Sequence, residues 1–311
     1  MRFLVTGGAG FLGAALANRL AAKEHQVRVI DDLSAGDSAR LDERVLFTRG
    51  SVLDRPKLWS LLQDVDCVYH LAARVLVSES ILYPSEYNQV NVGGTVSVME
   101  AMRDAGVQRV VLTSSGAVYG EQAHQPVRED QVPNPQSPYA VSKLAAEYYV
   151  RTIGALWGIE TVILRILNTY GPGQKVLPSH PPVVPRFLQQ ALGGGSLVIF
   201  GGGAQTRDFV YLDDVVEAMA AAATASDVDR RTINVGSGKE TSINELAALV
   251  AEVVGREVEV LHSPAESGGV SRLCADITLA QRLLGYEPRV SLSEGLRLTM
   301  RDDSRFAADV S

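Results

Sequence analysis

The eight residues Thr6-Gly7-Gly8-Ala9-Gly10-Phe11-Leu12-Gly13 stand between an apolar β-forming run, Arg2-Phe3-Leu4-Val5, and a helical run over 14–24. Glycine at Gly7, Gly10 and Gly13 permits a tight turn, lets backbone amides approach a pyrophosphate, and allows a helix to pack closely on a strand. The helix N-terminus adds partial positive charge for an anion. Phe11 and Leu12, within this loop, count with its glycines as candidate cofactor contacts. Asp31 ends the next β-forming run, Val27-Arg28-Val29-Ile30, 18 residues after Gly13. A carboxylate there accepts hydrogen bonds from the adenosine ribose hydroxyls and repels a 2′-phosphate, so the pattern favours NAD over NADP. A chain that starts this way is committed to a strand–turn–helix unit around a dinucleotide.

The rest of the first half repeats the alternation. Short Val/Ile/Leu-rich runs over 45–48, 67–70, 110–113 and 161–165 are separated by helical runs over 57–63, 92–105 and 139–157. Continuous apolar runs suit strands buried on both faces, which predicts an α/β, Rossmann-type, doubly wound parallel sheet. After Tyr170-Gly171-Pro172-Gly173 the composition breaks: residues 178, 181, 182 and 185 are prolines, which excludes regular helix or central strand. Helices over 184–192 and 242–254 follow, the second opened by a capping box, Ser242-Ile243-Asn244-Glu245. This part reads as a smaller α/β substrate-binding lid. The expected division is 1–168 for the NAD-binding domain, with 208–236 returning to it, and 169–207 with 237–311 for the substrate domain.

Bulk properties exclude other classes. A net charge of −7 gives no general attraction for nucleic acid. The two cysteines, Cys67 and Cys274, lie far apart with no metal-ligand spacing, and no metal is expected. The most apolar stretch, around 215–225, carries Glu217 and reads as a buried helix, not a membrane span. No targeting segment is visible. A cytoplasmic protein is expected.

Tyr139-Ala140-Val141-Ser142-Lys143 puts a phenol and an ammonium four residues apart on one helix face. A cation beside a phenol favours phenolate, which makes Tyr139 a base for an alcohol proton. Taken alone, the spacing also fits two surface residues. Thr113-Ser114-Ser115-Gly116-Ala117-Val118-Tyr119-Gly120 follows a strand directly and places hydroxyls at the sheet's C-terminal edge, where such folds bind ligands.

With these pieces the chain resembles the extended short-chain dehydrogenase/reductase family of nucleotide-sugar epimerases and dehydratases. The glycine loop, Asp31, His70-Leu71-Ala72-Ala73, Asn91-Val92-Gly93-Gly94-Thr95, the Ser115 segment, Tyr139 with Lys143, the run from Leu164 to Pro172, Arg207-Asp208-Phe209 and the run from Leu283 to Pro288 match it collinearly over nearly the whole chain. The resemblance implies that Tyr139 takes the sugar 4-hydroxyl proton while hydride leaves C4 for the nicotinamide. Lys143 holds the nicotinamide ribose, and Ser115 hydrogen-bonds the reacting oxygen. It further implies cofactor contacts from Leu33, Ser34, Ser51, Val52, Leu71, Ala72, Ala73, Asn91, Ser114 and Leu167. Asn168 and Arg207 are implied at the nucleotide diphosphate, with Val184, Arg186, Arg272 and Leu273 also on the substrate side. The alternative for Arg207 is a salt bridge with Asp208 or Asp213.

Among the family's reactions, 4,6-dehydratases resembling this chain carry Asp-Glu after the Ser115 position, and decarboxylases a glutamate at the second place. Here Gly116 and Ala117 stand there and cannot transfer protons. Net reductases of the family use NADPH, which Asp31 disfavours. The expectation is therefore an NAD-dependent 4-epimerase of the UDP-glucose/UDP-galactose type. A UDP-glucuronate 4-epimerase, with Arg186 facing the carboxylate, is the alternative. Another dehydratase or reductase, or a non-catalytic NAD-binding protein, comes after these. Leu273, of intermediate size, stands where C2 substituents are gated.

Two departures concern the nucleotides. Ser51 replaces an aspartate that contacts adenine in relatives, and Glu266 replaces an arginine that binds the substrate's nucleotide, with Arg272 as its candidate substitute. UDP is the default by resemblance. The apolar helices beginning at Val92 and Tyr139 pair across a two-fold axis in relatives, so a homodimer is expected.

Overall fold

The computed structural model describes residues 1–176, 181–264 and 269–307 of the 311-residue chain. In chain order its strands are β1 (Arg2–Thr6), β2 (Gln26–Asp31), β3 (Leu46–Arg49), β4 (Cys67–His70), β5 (Arg109–Ser115), β6 (Glu160–Ile166) and β7 (Asn168–Tyr170). These are followed by β8 (Leu197–Phe200), β9 (Thr206–Arg207), β10 (Phe209–Tyr211), β11 (Arg231–Val235), β12 (Thr241–Ser242) and β13 (Val260–Ser263). Seven of them form a parallel sheet in the order β11-β6-β5-β4-β1-β2-β3. The chain runs outward from β1 to β3, then crosses back to β4 on the other side of β1. The switch point therefore falls between β1 and β4, where the strand C-termini leave a crevice for a ligand.

The sheet is covered on both faces. Within β1, Phe3 and Val5 pack with Leu16, Val215, Met219, Ala280 and Tyr286 on one face. Leu4 packs with Leu58, Met99, Met102, Ala146 and Val150 on the other. Burial on both sides is why the strand sequences are apolar throughout rather than alternating. Each such side chain removed from water stabilises the fold by roughly 1.5–3 kcal/mol. Helix Leu212–Ala222 and β11 return to this sheet after the chain has visited the lid. The lid core joins Phe187 and Leu188 of Val183–Leu192, Leu246 and Val250 of Ile243–Val254, and Leu296 of Leu292–Asp302 with β8.

Element boundaries differ from expectation where caps intervene. The first helix spans Phe11–Ala22 because Gly10 is its extended N-cap, so the end of the glycine loop is already the first helical turn. The second is shifted to Arg55–Leu61 by the Asp54 side chain, which accepts from Lys57 N–H at 3.1 Å. A π-helical turn, Asn88–Gly93, leads into Gly94–Ala105 where one helix from residue 92 was expected. The Ser242 box forms as read, with Glu245 N–H donating to Ser242 Oγ at 3.1 Å and Ser242 N–H to Glu245 Oε2 at 2.7 Å.

Candidate active site

The glycine loop sits at the switch point and is held by backbone. Gly7 adopts φ +67° and donates its N–H to Ile30 O at 2.8 Å. A Cβ on Gly7 would lie 2.7 Å from Ala72 N, and one on Gly13 only 2.2 Å from Gly7 O. Both positions are closed to any side chain. The Phe11–Ala22 helix has no side-chain cap and no acidic residue in its first turn, so its amide end is suited to an external anion. Asp31, 8% exposed, accepts from Ala9 N–H at 3.0 Å and Leu33 N–H at 2.8 Å. Its neighbour Leu33 takes φ +64°, and Ser34 N–H binds Asp32 Oδ1 at 2.8 Å. Ser51 Oγ accepts from Leu53 N–H at 3.2 Å, and Val52 is buried beneath Gly94. Leu71, Ala72 and Ala73 leave β4 across the crevice, with Leu71 N–H on Thr6 O at 3.1 Å and Ala72 N–H on Thr6 Oγ1 at 3.2 Å.

Tyr139 and Lys143 lie in the first two turns of Pro138–Trp157, a helix capped by Ser137 and begun by Pro138. Both side chains are buried. Ser115, the last residue of β5, meets Tyr139 by a side-chain hydrogen bond. Burial pushes the phenol above its ordinary range, and the Ser115 hydroxyl partly offsets this. The expected lowering by Lys143 does not appear in the protein alone, where burial is the dominant influence on the phenol. Lys143 is itself brought down to about 8 by burial, opposed by the charge of Glu147. The edge of the Tyr87 ring packs on Tyr139, with centroids 6.5 Å apart.

A polar chain behind this pair fixes the crevice. His70 joins Thr6 Oγ1 at 2.7 Å and Thr95 Oγ1 at 2.9 Å, and Thr95 donates to Asn91 O at 2.6 Å. With Thr95 donating onward, His70 carries its proton on Nε2. Burial and the charge of Lys143 lower it to about 3, which keeps it neutral and positional. The Asn91 amide is engaged by protein: it donates to Arg74 O at 3.0 Å and Ser142 Oγ at 2.9 Å, and accepts from Arg74 N–H at 2.8 Å. Ser114 Oγ donates to Glu147 Oε1 at 2.5 Å.

Opposite lies the proposed substrate side. Leu167 and Leu273 close over Gly116; a Cβ there would sit 2.7 Å from Leu167 Cδ1 and 3.4 Å from Leu273 Cδ2. Asn168 begins β7 and is exposed. Arg207 ends β9 half-buried. Its Nη1 donates to Thr206 O at 2.6 Å, and burial lowers it while Glu121 raises it. Its sequence neighbour Asp208 is wholly buried and accepts instead from Ser237, Gly238 and Ala275 N–H. Arg186 donates to Val198 O at 3.2 Å and lies over the Phe187 and Phe200 rings, while Val184 is in the lid core. Arg272 is turned to solvent and clasped by Glu240, both arms at 2.7 Å, rather than standing free. Glu266 lies outside the described residues.

The sequence reading missed Glu147, Arg165, Thr6 and Thr95. For the first two a signal existed: Arg165 interrupts an apolar run destined for a doubly covered strand, so it requires a buried counter-ion. Among the described residues, no group of three or more His, Cys, Asp or Glu side chains is arranged to hold a metal ion. No helix among them is long and apolar enough to cross a membrane. A buried phenol, a serine hydroxyl and a lysine beside a dinucleotide loop are equipped to move a proton on or off a carbinol as hydride leaves its carbon.

Comparison with known proteins agrees with this arrangement. The model of the NAD dependent epimerase/dehydratase family matches residues 3–236. A UDP-glucose 4-epimerase of Mycolicibacterium smegmatis is 40% identical over 308 residues, covering 96% of this chain and 97% of its own. The crystal structure of a UDP-glucose 4-epimerase from Thermotoga maritima with UDP-glucose superposes with a TM-score of 0.92 at 35% identity, over 96% and 97% of the two chains. A UDP-glucuronic acid 4-epimerase from Bacillus cereus, in complex with UDP-glucuronic acid and NAD, gives 0.89 at 33% identity over 100% of both chains.

Proposed function

The chain belongs to the NAD-dependent epimerase/dehydratase family, and on that footing we propose that it interconverts UDP-glucose and UDP-galactose through a transient 4-keto sugar. One observation carries the choice of reaction. Ser115 is followed by Gly116, packed under Leu167 and Leu273, and by Ala117, neither of which carries an acid or base, so Tyr139 is the group beside Ser115 that can exchange a proton. Elimination or decarboxylation needs a further acid or base there.

NAD fits the donor set. The amide end of the Phe11–Ala22 helix with Gly7, Gly10 and Gly13 would hold the pyrophosphate, Asp31 the adenosine ribose, and Lys143 the nicotinamide ribose. When bound, NAD supplies the acceptor and then the donor of hydride. Tyr139, a phenol in the resting protein, would act once ionised in the loaded site, taking the 4-hydroxyl proton while Ser115 hydrogen-bonds the same oxygen. The lysine cation stabilises the phenolate. After the ketone has turned over, C4 receives hydride on its other face and Tyr139 returns the proton to oxygen.

A second reading, 4-epimerisation of UDP-glucuronate, is favoured by Arg186. Its half-buried guanidinium has a buried Nε without a partner, and among the described residues no carboxylate pairs with it. Incubation with each nucleotide sugar and chromatographic separation of the products decides between the two. Two coarser points complete the proposal. Ile81 and Leu82 at the end of Val77–Leu82, Tyr83 after it, and Tyr148 and Leu156 of Pro138–Trp157 are exposed apolar side chains, which supports a homodimer that covers them. Both cysteines are free and buried, which supports a reducing, cytoplasmic setting.

A further inference from the structure

Beyond Tyr139 and Lys143 lies a buried ion pair that the proton transfer above does not use. Glu147 follows Lys143 by one helical turn and is 1% exposed. Arg165 of β6 grips it with both arms, Nε on Oε1 at 3.0 Å and Nη2 on Oε2 at 2.8 Å. Ser114, next to Ser115, adds its hydroxyl at 2.5 Å, and the Tyr119 ring covers the guanidinium, 4.7 Å from Cζ to the centroid. Tyr119 is fixed in turn by its hydroxyl on Asn234 Oδ1 at 2.6 Å. Removing two charges from water costs several kcal/mol per ion, and an apolar pair of like volume is often at least as stable. The helix and sheet already meet through Ala146, Val150 and Ile163, so packing alone does not call for charges at this depth.

We propose that Glu147 is a positioning residue: its carboxylate, fixed by Arg165 and Ser114, is the counter-charge that keeps the buried Lys143 side chain an ammonium. The inference rests on Lys143 acting as a cation in the reaction proposed above. The groups facing Lys143 leave Glu147 this part. From β4, His70 faces it neutral. From its own helix come Tyr139, an uncharged phenol in the resting protein, and Glu147. From the Pro84–Tyr87 turn, Tyr87 packs on Tyr139 with its hydroxyl on Glu79, which Arg74 neutralises. Tyr119, from the turn after β5, and Arg165, from β6, face Glu147 instead. Glu100 of Gly94–Ala105 pairs with Arg55. Burial drives the Lys143 ammonium down to about 8, and Glu147 is the charge that opposes it.

The chain has five lysines, so lysine labelled with 13C at Cε gives a spectrum in which Lys143 can be titrated directly in the NAD-saturated protein, assigned by its loss in Lys143→Arg. In Glu147→Gln the Lys143 titration should move by about one pH unit or more toward acid, and in Glu147→Asp it should return most of the way. The alkaline limb of the kcat profile should follow the same order. Because Glu147→Gln strands the Arg165 charge and can unfold the protein, the double variant E147Q/R165M is the decisive one. It removes both charges of the pair, yet its Lys143 should still titrate about one unit low. Titration of Lys143 at the wild-type pH in the double variant overturns the proposal. Absence of sugar-nucleotide turnover in the wild type would instead sink the reaction proposed above, and would leave the titration readable.

Discussion

The Asp31 carboxylate, at the end of β2, accepts the Ala9 N–H of the glycine loop at 3.0 Å, so the acid proposed to select the cofactor is tied directly to the turn proposed to hold its pyrophosphate. Asp31→Ser removes the charge while leaving a hydroxyl. Hydrogen bonds to a charged group contribute about 1.5–3 kcal/mol, so NAD affinity should fall roughly 10- to 100-fold. NADP, relieved of repulsion, should bind better relative to NAD. Titrating cofactor-free protein with each dinucleotide checks both. An unchanged preference would mean that Asp31 does not face the ribose.

Gly13→Ala tests the closeness of helix and loop. The added methyl would stand 2.2 Å from Gly7 O, a backbone atom that cannot swing aside. Overpacking of this kind costs about 1–3 kcal/mol, read as a lowered Tm, and NAD binding should weaken with it. A variant as stable as the wild type would show that the loop is looser than drawn.

Legibility in the sequence followed the range of the interactions. Gly7 to Gly13, Asp31, and Tyr139 with Lys143 are local patterns: each is set by neighbours a few residues away or by a strand end. The polar chain behind them is not local. His70 meets Thr6 from 64 residues away, and the alternative reading of Arg207, a salt bridge with Asp208, does not form because Asp208 turns inward to residues near 237 and 275. The Tyr139 phenol was misjudged for a related reason. Sequence spacing shows a cation four residues off, but not the burial of the ring, which is set by the tertiary fold and raises the phenol. The pairing of Arg272, the candidate nucleotide contact, with Glu240 32 residues earlier is likewise non-local and unreadable from the sequence.

His70 gives stability a pH dependence of definite sign. Its folded-state value of about 3 lies below the ordinary 6.5, so the unfolded chain takes up the proton first as pH falls. The contribution is complete above about pH 6.5 and is lost progressively toward about pH 3. His70→Asn should be less stable near neutrality by about 1–3 kcal/mol, having lost one of two buried hydrogen bonds. It should also lose less on acidification. Urea unfolding of both proteins at about pH 7.5 and about pH 4.5 checks this, and parallel losses would contradict it.

Leu82 is 71% exposed and Ile81 64%, on a face beside the catalytic helix. Leu82→Glu places a charge among these exposed apolar side chains. Sedimentation velocity should show the wild type as a dimer and the variant as a monomer. A monomeric wild type would remove this surface from the account.

The central claim is met most directly by incubating the purified protein with UDP-glucose and NAD, alongside Tyr139→Phe, and resolving the sugar nucleotides by chromatography. The account predicts a UDP-galactose peak from the wild type with no lasting rise in NADH absorbance, and a rate lower by about 10²- to 10⁴-fold in the variant, the usual worth of a general base. A 4-keto product, steady NADH accumulation, or equal rates in the two proteins would contradict it.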